Sequence, residues 1–479
     1  MRKGIAIIHR KEACYPAQTH TYAPSEAYPE YRGGDIAPGT NSVYDMVREG
    51  FRALHMDREH FGTPEWDPLG EVIRPGDTVL LKPNFVMHEN PAGGIDCLVT
   101  HASVLRAVLD YVLIATRGEG RIIIGDAPVQ SCDFDLLLKN ANYNILEERY
   151  ANVIAGARFH DFRNTVVTTD ATGILLPGEN TRHFFGCKTV RLDEESAFAG
   201  LEEEKLKRLR ITNYRHDTLH EHHHTGHHAY LISDALLTAD VVINLPKPKT
   251  HRKAGVTGAM KNMIGVNASK EYLPHHTLGD KQHGGDEYLY ASRIKSLYRT
   301  LQEKRDDANA DGALARARRF SFLSALAAQG HKIKKPRDPY REGSWYGNDT
   351  IWRTIADIHK IVLFADKEGI LREVPQRKQF VIADMIVSGA GEGPLHPAPW
   401  EMHRILMGED PALTDYALTK LFGLPAKRIP SIRQLCDPEK IKHTRVLQNS
   451  EDRQELLLPA LRAEQTIPLP EGWQRILED

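Results

Sequence analysis

The sequence predicts an α/β fold: mainly parallel sheet flanked by helices, in two lobes, with a small antiparallel β insertion. Three observations predict it. Apolar, β-branched runs of strand length recur at Gly4–Ile8, Asp77–Leu81, Arg121–Ile124, Val241–Leu245 and Phe380–Val387. Amphipathic helical stretches lie between the first of them, which is the order of parallel βαβ units. The length of 479 residues exceeds one minimal domain.

Each element has a local reason. After the first strand, residues 11–40 are rich in Tyr, Pro and Gly and form an irregular excursion. Asn41 caps a helix from Ser42 to about Met56, with Val43, Met46, Val47, Phe51 and Leu54 on one side. The strand Asp77–Leu81 runs into Lys82-Pro83-Asn84, and Thr100 or His101 starts a helix striped by Val104, Leu105, Val108, Leu109 and Val112. Arg121–Ile124 ends in Gly125-Asp126, followed by a helical segment from Leu136 to Tyr150. From Val153 to Glu195 the pattern shortens, and Val166–Thr169 with Gly173–Leu176 predicts a hairpin. The α/β pattern resumes at Ile232. Helices are expected over Ser292–Glu303, Gly312–Ala327, Ile351–Phe364 and Pro411–Phe422, the last closed by Gly423. Leu406 and Met407 fall in a short strand, and the basic segment His331–Arg341 is an exposed connector. The resulting plan is an N-terminal α/β lobe (1–150), a β- and His-rich insertion (151–230), a second α/β lobe (231–425) and a C-terminal extension (426–479).

Composition narrows the function. The net charge of −2 gives no global attraction to nucleic acid, so any electropositive site is local. Cys14, Cys97, Cys132, Cys187 and Cys436 form no CxxC pair, which argues for a reducing compartment and against an iron–sulfur cluster. The N-terminal apolar run is too short for a signal peptide, and no stretch approaches the roughly 18–20 apolar residues of a membrane span. A cytoplasmic protein without membrane or nucleic-acid partners is the expectation. The oligomeric state is left open.

The richest stretch is Val241–Gly265, VVINLPKPKTHRKAGVTGAMKNMIG. Pro246 and Pro248 cannot donate to a ladder and stop the strand. Lys247, Lys249, Arg252, Lys253 and Lys261 follow with His251 among them, and Gly255 and Gly258 bracket a turn expected to open a helix at Thr257. Three other strands also end in polar or glycine-rich clusters: Lys82-Pro83-Asn84, Gly125-Asp126, and Asp384 with Gly389–Gly393. Ligands of open α/β sheets bind outside the carboxyl ends of strands, so the four clusters predict one composite site.

Within it, Lys82, Lys247, Lys249 and Lys261 suit a carboxylate or phosphate, helped by backbone N–H groups near Thr257 and Gly258. Asn84, Asp126, Asn262, Gly391 and Glu392 complete the substrate-binding set. His101 and His251 are the acid–base candidates, because imidazole titrates near neutrality, and Lys261 joins them as catalytic. Asp126 could orient a histidine or hold a metal; a turn cap after the strand is the plainer alternative. The GxxxxGK[ST] spacing of a P-loop is not met.

Residues 216–228 hold seven histidines, and His220-Glu221-x-x-His224 satisfies the HExxH pattern. That pattern needs a helix carrying both imidazoles on one face. Thr225-Gly226 follows at once, and a tract this rich in histidine makes a chance match easy. A loop binding a divalent transition metal is one reading, with His220 and His224 as ligands. A solvated loop is the other.

LLKPN (80–84), VINLPKPKTH (242–251), GVTGAMKNMIG (255–265) and GEGP (391–394) resemble the family called domain of unknown function 362. Thr100-His101, the Asp-Pro-Ala…Asp segment at 410–415 and EGSWYGNDTIWR at 342–353 fit it too. The resemblance covers most of residues 75–425. Some members carry a cysteine-rich cluster-binding segment that this chain lacks. A more distant similarity, to nickel-pincer lactate racemases, rests on His251 and Lys261 across a Gly-rich turn and on Thr100-His101. It implies histidines acting at a 2-hydroxy acid and a cofactor-holding Lys, although the chain has no full signature for that cofactor. Two function classes stay open: an enzyme performing isomerisation, epimerisation or redox chemistry on a small anionic substrate, or a non-catalytic metal- or ligand-binding protein.

Overall fold

The computed structural model describes residues 4–17, 21–154, 158–170, 174–182, 185–212, 214, 217–333, 340–449 and 454–478. Gly173, His216 and the 334–339 part of the basic connector lie outside the described residues.

Among the described residues eleven strands form one sheet. They are β1 (Gly4–His9), β2 (Thr78–Pro83), β3 (Arg121–Asp126), β4 (Phe159–Asp161), β5 (Val241–Leu245), β6 (Lys249–His251), β7 (Gly255–Thr257), β8 (Lys378–Ala390), β9 (Ala398–Gly408), β10 (Arg445–Gln448) and β11 (Gln454–Leu457). The spatial order is β11-β10-β1-β9-β8-β5-β2-β3-β4, with β6 and β7 attached at the end of β8. From β8 to β4 every pairing is parallel. The other half is mixed: β9 runs antiparallel to β8 and β1, and β1 pairs in parallel with β10.

Strand alternation assigns the two faces. Val79, Leu81, Val241 and Ile243 pack on one, Leu80 and Val242 on the other. The first face is covered by α1 (Ser42–Ala53), α2 (Ala102–Thr116), α3 (Phe134–Asn140) and α4 (Tyr143–Tyr150). Chain order continues with α5 (Ala259–Asn262), α6 (Arg293–Ala310), α7 (Leu314–Ile333), α8 (Ile351–Phe364) and α9 (Pro411–Leu421). Of these, α8 and α9 bury Ile355, Ile358, Ile361, Ala417 and Leu418 against the second face. The described strands of 1–150 and 231–425 therefore share one sheet, with β5 lying between β2 and β8. The insertion holds the antiparallel pairs Val166–Thr169 with Leu175–Gly178, and Cys187–Arg191 with His227–Ser233.

Several expectations are corrected. Leu406 and Met407 belong to an eleven-residue strand, because β9 is zipped between β1 and β8. The C-terminal extension supplies β10 and β11 to the sheet edge. No helix opens at Thr257. Gly255, at φ +81°, turns the chain so that β7 folds back on β6, and the short α5 starts only at Ala259. Among the described residues no helix is long and apolar enough to cross a membrane.

Candidate functional site

The carboxyl ends of β2 and β3 border a cavity of about 370 Å³ with the β6–β7 hairpin as one wall. Its position follows from the strand breaks. Pro246 and Pro248 end the β5 ladder, yet their carbonyls accept hydrogen bonds from the Asp384 (3.0 Å) and Gly389 (3.0 Å) amides, so the chain stays attached to β8 and re-enters the sheet at Lys249. Thr100 fastens the neighbouring ends, since its hydroxyl donates to Leu245 O (2.7 Å) and accepts from the Asn84 amide (2.9 Å).

A chain of amides then crosses the strand ends. Asn84 Nδ2 donates to Asn262 Oδ1 (2.9 Å), Asn262 Nδ2 donates to Asn244 Oδ1 (2.8 Å), and Asn244 Nδ2 donates to Ala259 O (2.8 Å). Asn84 Oδ1 accepts from Lys249 Nζ at 2.6 Å, and the same ammonium donates to Leu98 O at 2.5 Å. Under this lattice Lys82 Nζ and Asp126 Oδ1 form a buried ion pair of 2.7 Å. Asp126 also accepts the Phe85 amide (2.7 Å), so it is a charge partner and a turn cap together. Burial pushes Lys82 down and Asp126 up, while their mutual attraction opposes both shifts. Position 265 must be glycine here, because a Cβ would overlap Asp126 Oδ1.

The cavity lining is mixed. Val86, Met87, Pro128, Val129, Ile211 and Leu395 supply apolar surface. Lys249, Arg252, Lys253, Lys261, Lys270, His251 and His275 line it as well, with the carboxylates of Asp126 and Glu342. Lys253 Nζ donates to Thr212 Oγ1 (3.1 Å) and Lys270 Nζ to Ala127 O (2.7 Å). Among the described residues the Lys261 ammonium has no hydrogen-bond partner. Desolvation, then repulsion from neighbouring cations, pushes Lys249 and Lys270 down to about 7. Desolvation also takes Lys253 and Lys261 to about 8, with Arg252 repelling the former and Lys253 the latter. Burial and the adjacent lysines keep His251 and His275 well below the usual imidazole value.

Of the anticipated residues, Asn84, Asp126, Lys249, His251, Thr257, Lys261 and Asn262 line this cavity. Lys82 lies beneath it, on Asp126. Lys247 and His101 go elsewhere. Lys247 Nζ pairs with Asp384 Oδ2 at 3.0 Å, and Tyr15 OH donates to Asp384 Oδ1 at 2.7 Å. The His101 ring stacks on Tyr15 (centroids 3.9 Å apart), its amide bonds Asp384 Oδ2 (2.9 Å), and its Nδ1 caps α2 through the Ser103 amide (3.1 Å). Gly258 presses against Asp415, whose carboxylate takes the Ala259 (2.5 Å) and Met260 (2.9 Å) amides expected to face a ligand. Gly391 O accepts from Thr250 Oγ1 (2.8 Å), and Glu392 Oε1 accepts the Glu471 amide (2.8 Å), leaving Pro394 and Leu395 of that loop at the cavity.

His220 and His224 are not brought together on one helix. The helix Asp217–His222 ends before His224, which lies in the strand His223–His224. His220 Nε2 faces Leu209 O (3.2 Å), and the His224 ring stacks on His227 with centroids 5.0 Å apart. Among the described residues no group of three or more His, Cys, Asp or Glu could hold a metal ion. Lys253, Lys270, His275 and Glu342 were not among the anticipated site residues. The signals were faint: Lys270 and His275 follow the lysine motif within ten residues, and Glu342 opens the EGSWYGNDTIWR segment.

Fold and cavity define an α/β protein with a polar, lysine-rich pocket at the carboxyl ends of parallel strands. The chain belongs to the family described as domain of unknown function (DUF362), whose model matches residues 79–180 and 165–420. No curated protein and no solved structure matches it. The similarity to nickel-pincer lactate racemases finds no support in these comparisons.

Proposed function

We propose that the cavity binds a small anionic molecule, a carboxylate or phosphate with an apolar portion, and that the protein is an enzyme transferring a proton on it. One observation carries this reading. Four lysines, an arginine and two imidazoles converge on one cavity, and its carboxylates are too few to neutralise them. Cations crowded in this way repel one another and are poorly hydrated, so an anion that enters relieves both penalties. The apolar lining residues receive the rest of the molecule. Proton transfer, the step shared by isomerisation and epimerisation, is the chemistry that lysines and histidines shifted toward or below neutrality serve.

Thermal unfolding in the presence of millimolar phosphate, pyrophosphate or succinate tests the reading, with Lys253→Met and Lys261→Met as variants. Stabilisation of the unmodified protein by at least one anion, reduced in both variants while circular dichroism is unchanged, is expected. No shift with any of the three, or equal shifts in both variants, defeats it. Binding without turnover of any substrate would leave a ligand-binding protein.

A further inference from the structure

The two cavity histidines are held in opposite tautomers. His251 Nδ1 accepts the backbone amides of Lys253 (3.0 Å) and Ala254 (3.1 Å). A nitrogen receiving two N–H groups carries no proton, so the neutral ring is protonated at Nε2. His275 is the reverse: its Nδ1 lies 2.7 Å from Leu273 O, an obligatory acceptor, and must hold the proton. Its Nε2 is then a free lone pair. Both side chains line the cavity.

The consequences differ. A second proton on His251 would place an N–H against two amide N–H groups and break both bonds. A second proton on His275 would go to Nε2 and leave the Leu273 bond intact. Resting on the reading of the cavity as an anion site, we propose that His275 is its proton-accepting residue and His251 its fixed Nε2–H donor. The ligand fitting this pair is an anion that carries an acidic proton beside an oxygen acceptor. The proton passes from the ligand to His275 Nε2, and the electron pair stays on the ligand. The extra negative charge falls to His251 Nε2–H and the Lys261 ammonium.

His275 is surrounded by Lys253, Lys261 and Lys270 on the neighbouring segments, which oppose its protonation until an anion offsets them. The test uses full-length protein with ¹⁵N-labelled histidine at pH 6, where the lysines are already charged. His251→Asn and His275→Asn assign the resonances, and the probes are sulfate and inorganic phosphate. Without anion, the Nε2–H tautomer is expected for His251 and the Nδ1–H tautomer for His275. On saturation with either probe, His275 should become an imidazolium while His251 stays neutral. Calorimetry in two buffers should show about one proton taken up with sulfate, which brings none, and fewer with phosphate. That uptake should vanish in His275→Asn. Anion binding that leaves His275 neutral, or that protonates His251, overturns the inference alone. Failure of both probes to bind overturns the anion-site reading with it.

Discussion

Lys247 and Lys261 come from one 25-residue motif and meet opposite fates. Lys247 is fully buried on Asp384, with Tyr15 and His101 closing the cluster. Lys82 is held the same way on Asp126. Lys261 faces a cavity with Asp126, Lys253 and Lys82 as charged neighbours, and that carboxylate is already paired with Lys82. The paired lysines hold the strand ends together. The crowded ones form the electropositive wall. Charge compensation, not residue type, separates structural from ligand-facing lysines in this protein.

Breaking a compensated pair should have the largest effect. Lys247→Met leaves the Asp384 carboxylate buried without its cation, and about 3–5 kcal/mol of stability is expected to be lost in urea unfolding. Lys247→Met with Asp384→Leu should recover part of that; equal losses in the single and double variants would break the comparison.

The next effect is one of pH. Lys249 and Lys270 titrate near 7, and Lys253 and Lys261 near 8, against 10.5 for a free lysine. Between those values the unfolded chain binds more protons than the folded one, so stability rises with pH from about 7 to 10. Anion affinity should fall over the same window as the ammoniums discharge. Melting curves at stepped pH, with and without phosphate, check both slopes.

Removing one crowded cation should matter less to the fold. Lys261→Met is expected to leave stability unchanged or raise it by about 1 kcal/mol, while anion affinity falls at least tenfold. A loss as large as that of Lys247→Met would erase the distinction. Smallest of all, His224→Ala, an exposed ring outside both regions, should change stability by less than about 0.5 kcal/mol. Zinc titration of that variant should give the stoichiometry of the unmodified protein.

Much of the fold was legible because burial leaves short-range marks. The β-branched runs became β2, β3, β5 and β8, and the stripe after His101 became α2. Asn41 does cap α1, accepting the Tyr44 amide at 3.2 Å. The helix expected at Thr257 failed because Gly255, at φ +81°, favours a turn back into the sheet, which a count of charges and glycines does not show.

For the site, local sequence determined that cations, a histidine and asparagines would arrive at strand ends, since prolines stop ladders where they stand. It did not determine which cations stay unneutralised. That depends on partners far away in sequence: Asp384 for Lys247, Asp126 for Lys82, and Asp415 for the start of α5. His275, Lys270 and Glu342 also enter the wall only through tertiary packing. Coulomb energy and desolvation depend on distance and burial, and neither is set by neighbours in the chain. The sequence alone determined the strands and the charges they deliver; the tertiary structure decided which of those charges a ligand could meet.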